Sequence, residues 1–295
     1  MREGAKILAM RFGSYRIGEN ERAAVLLEGA AYDVEAVAAA ADLRVPATLS
    51  VFIEQGLRDP FHAAVTRLGG RIPVTPLDRP GLVCPIRRPP KIWGIGLNYR
   101  AHAHDLGVAV PEEPASFMKP ATTLIGPDET ILLPPQSRRV TAEAELALVL
   151  GRRCAGVAEG DAAAALFGYV PVIDMTAEDI LQKNPRFLTR AKSFATFLSV
   201  GPWIATPDEV PSPGDLRVTT LRRGEVVATN TVSDMRFAPA MLVAFFSRVF
   251  DWEPGDLLLT GTPGAAVIED GDVAACRIDG FPELRNPVRR NSTPV

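Results

Sequence analysis

Thr141-Ala142-Glu143-Ala144-Glu145-Leu146-Ala147-Leu148-Val149-Leu150 is the stretch on which the fold turns. It reads as a strand, and because successive strand side chains point to opposite faces, Glu143 and Glu145 share one face while Ala144, Leu146 and Leu148 share the other. Two carboxylates side by side on an apolar strand repel each other and lose hydration unless something positive sits between them. A hard divalent cation resolves that conflict. So does a surface position with both glutamates in water, and on spacing alone the solvated pair is the commoner case. A second apolar run, Tyr169-Val170-Pro171-Val172-Ile173, leads straight into Asp174, which puts a third carboxylate at the mouth of a neighbouring strand. Three oxygen donors suit Mg²⁺ or Mn²⁺ better than Zn²⁺, which prefers nitrogen and sulfur.

Short strands punctuated by Gly and Pro surround this pair, at 92–97, 146–150, 169–173, 216–221 and 257–260. One clear helix interrupts them, at 239–249, with Ser233 or Asp234 as candidate caps and a stop before Pro254-Gly255. Upstream, strand-like pieces at 6–11 and 23–28 and helical periodicity at 34–41 and 49–57 give a small α+β unit over 1–72. Pro73, Pro76, Pro80, Pro85, Pro89 and Pro90 then mark 73–90 as a linker, since proline lacks the N–H that a helix or central strand needs. The expected architecture is α+β and mostly β, with a catalytic unit over 91–290. Residues 286–295 read as a frayed tail, 291–295 lying beyond the domain.

At 295 residues the chain can bury a full core, and 47% hydrophobic against 23% charged residues is ordinary for a globular protein. With 32 basic and 35 acidic residues and no basic stripe, nucleic acid is not an expected partner. No apolar run approaches the ~20 residues that cross a bilayer. The N-terminus lacks the features of a secretory signal, so the expected location is cytoplasmic. Cys84, Cys154 and Cys276 fit neither a disulfide framework nor a zinc site.

Further candidates for chemistry flank the carboxylates. Asn98-Tyr99-Arg100-Ala101-His102-Ala103-His104-Asp105 follows a strand, and in one helical turn His102 and Asp105 would face each other at i, i+3, as a general base and its orienting carboxylate require. A turn histidine at the surface is the alternative, and His62 takes that reading outright. His102 and His104 are too close together to share a helix face around zinc. Lys192 follows a polar segment and suits either a substrate oxyanion or simple exposure. In Leu259-Thr260-Gly261-Thr262-Pro263-Gly264 a strand enters a Gly-rich turn whose N–H groups could take an anion; an ordinary tight turn fits equally.

Taken in order, these pieces resemble the fumarylacetoacetate hydrolase family. The likeness rests on Gly94-Ile95-Gly96-Leu97-Asn98-Tyr99 with His102, Phe117-Met118-Lys119-Pro120, Glu143-Ala144-Glu145-Leu146, Gly168-Tyr169 with Asp174, Lys192-Ser193-Phe194, Gly201-Pro202, and Pro254-Gly255-Asp256 leading to Thr260-Gly261-Thr262-Pro263. The resemblance implies a mixed β-sandwich roll behind a smaller N-terminal domain, commonly as a homodimer, with Mg²⁺ or Mn²⁺ on Glu143, Glu145 and Asp174. It implies catalytic roles for His102, Asp105 and Lys192, and substrate contacts at Tyr99, Lys119, Gly261 and Thr262. The implied activity is hydrolysis of a carbon–carbon bond in an acylpyruvate-like 2-oxo acid. Decarboxylation, isomerisation or tautomerisation, and dehydration through the same enolate are alternatives, as is a catalytically silent 2-oxo-acid binder. The sequence departs from the family pattern at Glu178, where many members carry Arg, at Leu181, where a polar residue is usual, and at Asp105, where Glu is usual. Arg186 or Arg190 are candidates to supply the missing positive charge.

Overall fold

The computed structural model describes residues 9–69, 72–105, 107 and 111–291. Its organising element is an antiparallel pair of long strands, Val140–Leu150 and Leu166–Ala177, in register from Gly168 opposite Val149 to Ala177 opposite Val140, with a register shift between Leu166 and Gly168. Apart from part-buried Glu143, every residue of both strands is buried. Strands covered on both faces read as continuous apolar runs. That is why 146–150 and 169–173 stand out in the sequence while the strands themselves run further.

Leu257–Leu259 and Ala265–Ile268 pair with the free side of Val140–Leu150, and Ile92–Gly96 and then Ala115–Met118 extend the sheet beyond Leu257–Leu259. A second sheet runs in the order Glu225–Thr231, Arg217–Arg222, Val273–Ile278, Leu284–Arg290, Ile131–Leu133. Between the sheets, Ala144, Leu146, Leu148, Ile173 and Met175 pack with Val218, Ala274, Cys276, Leu284 and Val288. This is the expected mostly-β, mixed-sheet architecture.

The other face of the long strands is covered by the N-terminal unit. Arg11–Ile17 pairs with Ile204–Ala205 and so joins the large sheet, followed by Asn20–Leu27 and Ala30–Asp33. Phe12 lies 5.3 Å from Phe52, 5.7 Å from Phe61 and 5.2 Å from Phe167, ring centre to ring centre, in one apolar cluster with Ala147, Val149, Val170 and Val172. The proline-rich segment is stitched down as well: Leu82–Val83 pairs with Arg11–Ile17, and the Leu77 N–H donates to the Ala31 carbonyl.

Several local expectations need correction. The first strand begins at Arg11 rather than ending there; residues 6–8 lie outside the described part. Gly13 disguises it, but a Cβ there would sit 2.7 Å from the Pro202 carbonyl oxygen, so glycine is what lets the crossing chain approach. The helix Arg58–Arg67 buries only Phe61, Ala64 and Val65, a stripe too narrow to register beside Pro60. On it His62 is part-buried, and its Nε2 is closed off from solvent with no hydrogen bond among the described residues, so it is not the surface histidine expected. The helix Pro239–Phe246 stops short of 249. It is entered from Ala238 with proline in its first turn, while Ser233 and Asp234 belong to a separate 3-10 turn. Residues 286–290 are not frayed, because they belong to Leu284–Arg290, where the Asn286 side chain donates to the carbonyls of Gly126 and Glu129; 292–295 lie outside the described part. The three cysteines are free. Among the described residues no helix is long and apolar enough to cross a membrane.

Candidate functional site

Strand register builds the site. Glu143 sits opposite Asp174 and Glu145 opposite Val172, so all three carboxylates project from one face of two hydrogen-bonded strands. Their oxygens converge to within 4.8 Å of one another. Glu145 and Asp174 are 1% and 0% exposed, which rules out a pair of solvated surface glutamates.

Two lysines oppose the three acids. Lys192, closing the short helix Leu188–Lys192, places Nζ 2.8 Å from Glu143 Oε2 and 2.8 Å from Asp174 Oδ2. Its ammonium also stands 4.7 Å from the centre of the Phe117 ring, a cation–π contact. Lys119, just past Ala115–Met118, donates to Asp174 Oδ1 at 2.6 Å and to the Met175 carbonyl at 3.3 Å. The Thr176 hydroxyl donates to Glu143 Oε1 at 3.0 Å, and the Gly261 N–H donates to Glu145 Oε2 at 2.7 Å.

These contacts set the protonation energetics. Burial, with Asp174 and Glu143 close by, pushes the Glu145 carboxyl well above the usual carboxylate range, against Lys192 and the Gly261 N–H. Burial alone would lower Lys192, but Asp174, Glu143 and Glu145 together outweigh it and hold its pKa above that of an ordinary lysine. For Lys119 the balance is reversed. Burial and repulsion by Lys192 exceed the pull of Asp174 and bring it down to about 8. The opposite shifts of two lysines on one carboxylate follow from Lys192 touching two acids and Lys119 one.

Counted as ionised groups, three acids and two lysines leave one negative charge in a site that only Glu143 opens partly to water, and among the described residues Glu145 has a single hydrogen-bond donor for its carboxylate. A cation fits that deficit. Octahedral oxygens about 2.1 Å from Mg²⁺ lie roughly 3 to 4 Å apart, close to the 4.8 Å within which these carboxylate oxygens converge. The donor set is oxygen only, which favours Mg²⁺ or Mn²⁺ over zinc.

Residues 91–289 match the family model described as fumarylacetoacetate (FAA) hydrolase C-terminal. The chain belongs to the fumarylacetoacetate hydrolase family. Over 256 residues this family member is 34% identical to the human mitochondrial oxaloacetate tautomerase FAHD2A, covering 84% of the chain and 81% of that protein. It superposes on 5-carboxymethyl-2-hydroxymuconate delta-isomerase from Mycobacterium smegmatis with a TM-score of 0.72 and 30% identity, over 96% of this chain and 100% of that one. Maleylpyruvate hydrolase from Sphingobium sp. SYK-6, in complex with manganese(II) and pyruvate, superposes at a TM-score of 0.76 and 29% identity, over 96% and 100%.

Within this member of the fumarylacetoacetate hydrolase family, the other expected site residues are placed as follows. His102, on Arg100–Asp105, has Nδ1 3.8 Å from where a Cβ on Gly264 would stand, and the next residue, Ala265, is the cross-strand neighbour of Glu143. The imidazole is therefore one strand away from the acids. The side chain of Asp105 lies outside the described part, and with it the expected His102–Asp105 pair. Tyr99 is 0% exposed, inside the core between the sheets, and its hydroxyl has no hydrogen-bond partner among the described residues. Thr262 accepts from the Gly264 N–H and donates to the Gly264 carbonyl, closing its own turn. The Gly261 N–H, expected to face an anion, is occupied by Glu145, and Lys119, expected at the substrate, is bound to Asp174. Arg190 lies against the Phe187 ring, and Glu178 is bonded by Arg139.

Residues to which the sequence assigned no role also shape the site. Thr176 holds Glu143. Asn98 ties the loop to the rest, donating to the carbonyls of Phe237 and Thr260 and accepting from the Phe237 N–H, all at 2.8 to 3.0 Å. Phe117 underlies Lys192, and it is fixed by Gly94, where a Cβ would lie 2.2 Å from the ring. Gly94→Ala is therefore expected to turn the Phe117 ring away from Lys192 and to reduce turnover more than thermal stability. Full activity in that variant would remove the ring contact from the design of the site.

Proposed function

We propose that this protein is a divalent-metal-dependent enzyme that interconverts keto and enol forms of a small 2-oxo acid, a tautomerase or isomerase reaction. The observation that carries the reading is the buried convergence of Glu143, Glu145 and Asp174 against Lys119 and Lys192. The 34% identity to an oxaloacetate tautomerase over 84% of the chain supports the finer choice. Mg²⁺ or Mn²⁺, held by the three carboxylates, would supply Lewis acidity that makes the C–H beside the oxo group more acidic.

The chain's own residues do the rest. Gly261 and Thr176 orient Glu145 and Glu143 as oxygen donors. Lys119 and Lys192 offset the acids, so that with a dication the site has net positive charge and draws in a carboxylate. His102 takes the proton from the carbon next to the oxo group and returns a proton to the developing oxyanion. Burial of Glu145, Asp174, Lys119 and Lys192 limits water around them and strengthens their interactions.

A second reading, hydrolysis of a carbon–carbon bond in an acylpyruvate-like acid, is favoured by the likeness to maleylpyruvate hydrolase and needs His102 to activate water instead. Both readings involve the enolate of a 2-oxo acid, formed by loss of a carbon-bound proton in the first and released when the carbon–carbon bond breaks after water attack in the second; the products separate them. With Mg²⁺, the purified protein is expected to accelerate ketonisation of enol-oxaloacetate, and chelator to abolish the acceleration. His102→Asn should reduce the rate by about 100-fold or more while Mn²⁺ binding is retained. Release of pyruvate and a second acid from acylpyruvates would install the hydrolase reading, and no metal-dependent change in any 2-oxo acid would overturn both.

A further inference from the structure

One peptide group joins the acid cluster to a buried amide. The Gly261 N–H donates to Glu145 Oε2 at 2.7 Å, and the carbonyl at the other end of that same peptide, on Thr260, accepts from Asn98 Nδ2 at 2.8 Å. A peptide group is planar and moves as one body, so the two bonds hold a single unit from opposite ends. Asn98 is 1% exposed, and the rest of its amide is spent on Phe237: Nδ2 donates to the Phe237 carbonyl at 3.0 Å, and Oδ1 accepts from the Phe237 N–H at 2.9 Å. Two residues further on, the same loop enters Arg100–Asp105, which carries His102.

Other contacts of the turn do not orient this peptide. The Thr260 N–H and hydroxyl both donate to the Leu146 carbonyl, at 3.3 and 2.6 Å, which ties Thr260 to the strand of the acids. Neither bond involves the peptide that follows, which is left to rotate about the Thr260 ψ angle. Gly261, at a φ of +96°, has no Cβ to resist that rotation. The absence of a Cβ also admits the asparagine, since one on Gly261 would stand 3.0 Å from Asn98 Cβ. Aiming the N–H at Glu145 therefore falls to the bond from Asn98, and an amide whose carbonyl accepts a hydrogen bond is also the stronger donor through its N–H.

Resting on the metal-dependent reading above, we infer that Asn98 is a positioning residue of the metal site. Through the Thr260–Gly261 peptide it pins one oxygen of Glu145 and leaves the other available to the cation, and it moors the loop that bears His102 to the same peptide.

The test is Mn²⁺ affinity, read from the electron paramagnetic resonance of the free ion, in two variants that loosen the same loop. Asn98→Ala removes the bond to the Thr260 carbonyl. Asp234→Ala removes the carboxylate that accepts from the Ala101 N–H at 3.2 Å, and so releases the loop from its neighbour without touching the Thr260–Gly261 peptide. Asn98→Ala is expected to weaken Mn²⁺ binding about tenfold or more, and Asp234→Ala to leave it unchanged, whatever either does to the unfolding temperature. Wild-type affinity in folded Asn98→Ala, or an equal loss in Asp234→Ala, overturns the inference and leaves metal binding by the three acids standing. Failure of the wild-type protein to bind Mn²⁺ overturns both. A second measurement needs no substitution. In nuclear magnetic resonance of the wild-type protein, Mg²⁺ titration should shift the side-chain amide signals of Asn98 in step with binding and leave in place those of Asn286, which donates to the carbonyls of Gly126 and Glu129. Asn98 signals that ignore the bound metal overturn the inference as well.

Discussion

Asp174→Ala is expected to abolish metal-dependent activity and to lower Mn²⁺ affinity by about 100-fold or more, the largest functional effect of any single change in this chain. Among the described residues Asp174 is the only carboxylate touched by both lysines, with Lys119 on one oxygen and Lys192 on the other. Its removal takes away one ligand and also leaves Lys119, 0% exposed, with only the Met175 carbonyl. Breaking a buried ion pair from one side typically costs about 3 to 5 kcal/mol. Lys119 is already brought down to about 8 by burial, so it can shed its proton and keep the penalty near the lower end. Mn²⁺ titration and thermal unfolding of the same variant read both effects. Wild-type affinity in Asp174→Ala would exclude Asp174 as a ligand.

Phe12→Ala is expected to produce the largest loss of stability, about 3 to 5 kcal/mol. The residue is 0% exposed, and its ring packs against Phe52, Phe61 and Phe167 at once, so the cavity left behind is walled by side chains from three separate elements. Chemical denaturation should show one transition shifted to lower denaturant with its slope unchanged. Two separate transitions would instead mean that the N-terminal unit unfolds by itself.

The two long strands were legible because their residues carry the signal: Glu-x-Glu alternation in one, an apolar run ending in an acid in the other. What the sequence could not convey was which face of Val140–Leu150 would be covered. The same two glutamates suit water or a buried ion, and only the pairing with Leu166–Ala177 and the arrival of Lys119 and Lys192, 24 positions before Glu143 and 47 after Glu145, decide between them. Phe12-Gly13-Ser14 concealed a strand because Gly13 serves a contact with Pro202, a partner 189 residues away. Thr176 gave no warning, and Asn98 stood out only as part of the Gly94-to-Tyr99 motif and not for its bonds, because a hydroxyl or an amide acquires meaning only from the group it bonds. The Gly-rich turn was recognised as a donor of N–H groups, but its recipient was the Glu145 side chain.

The acids share their sheet face with Ala147, Val149, Val170 and Val172, and that face is roofed by Phe12, Phe52 and Phe61. Residues 9–69 therefore share one core with the long strands. Grafting residues 91–290 onto another leader would strip an aromatic lid from the strands that hold the acids in place.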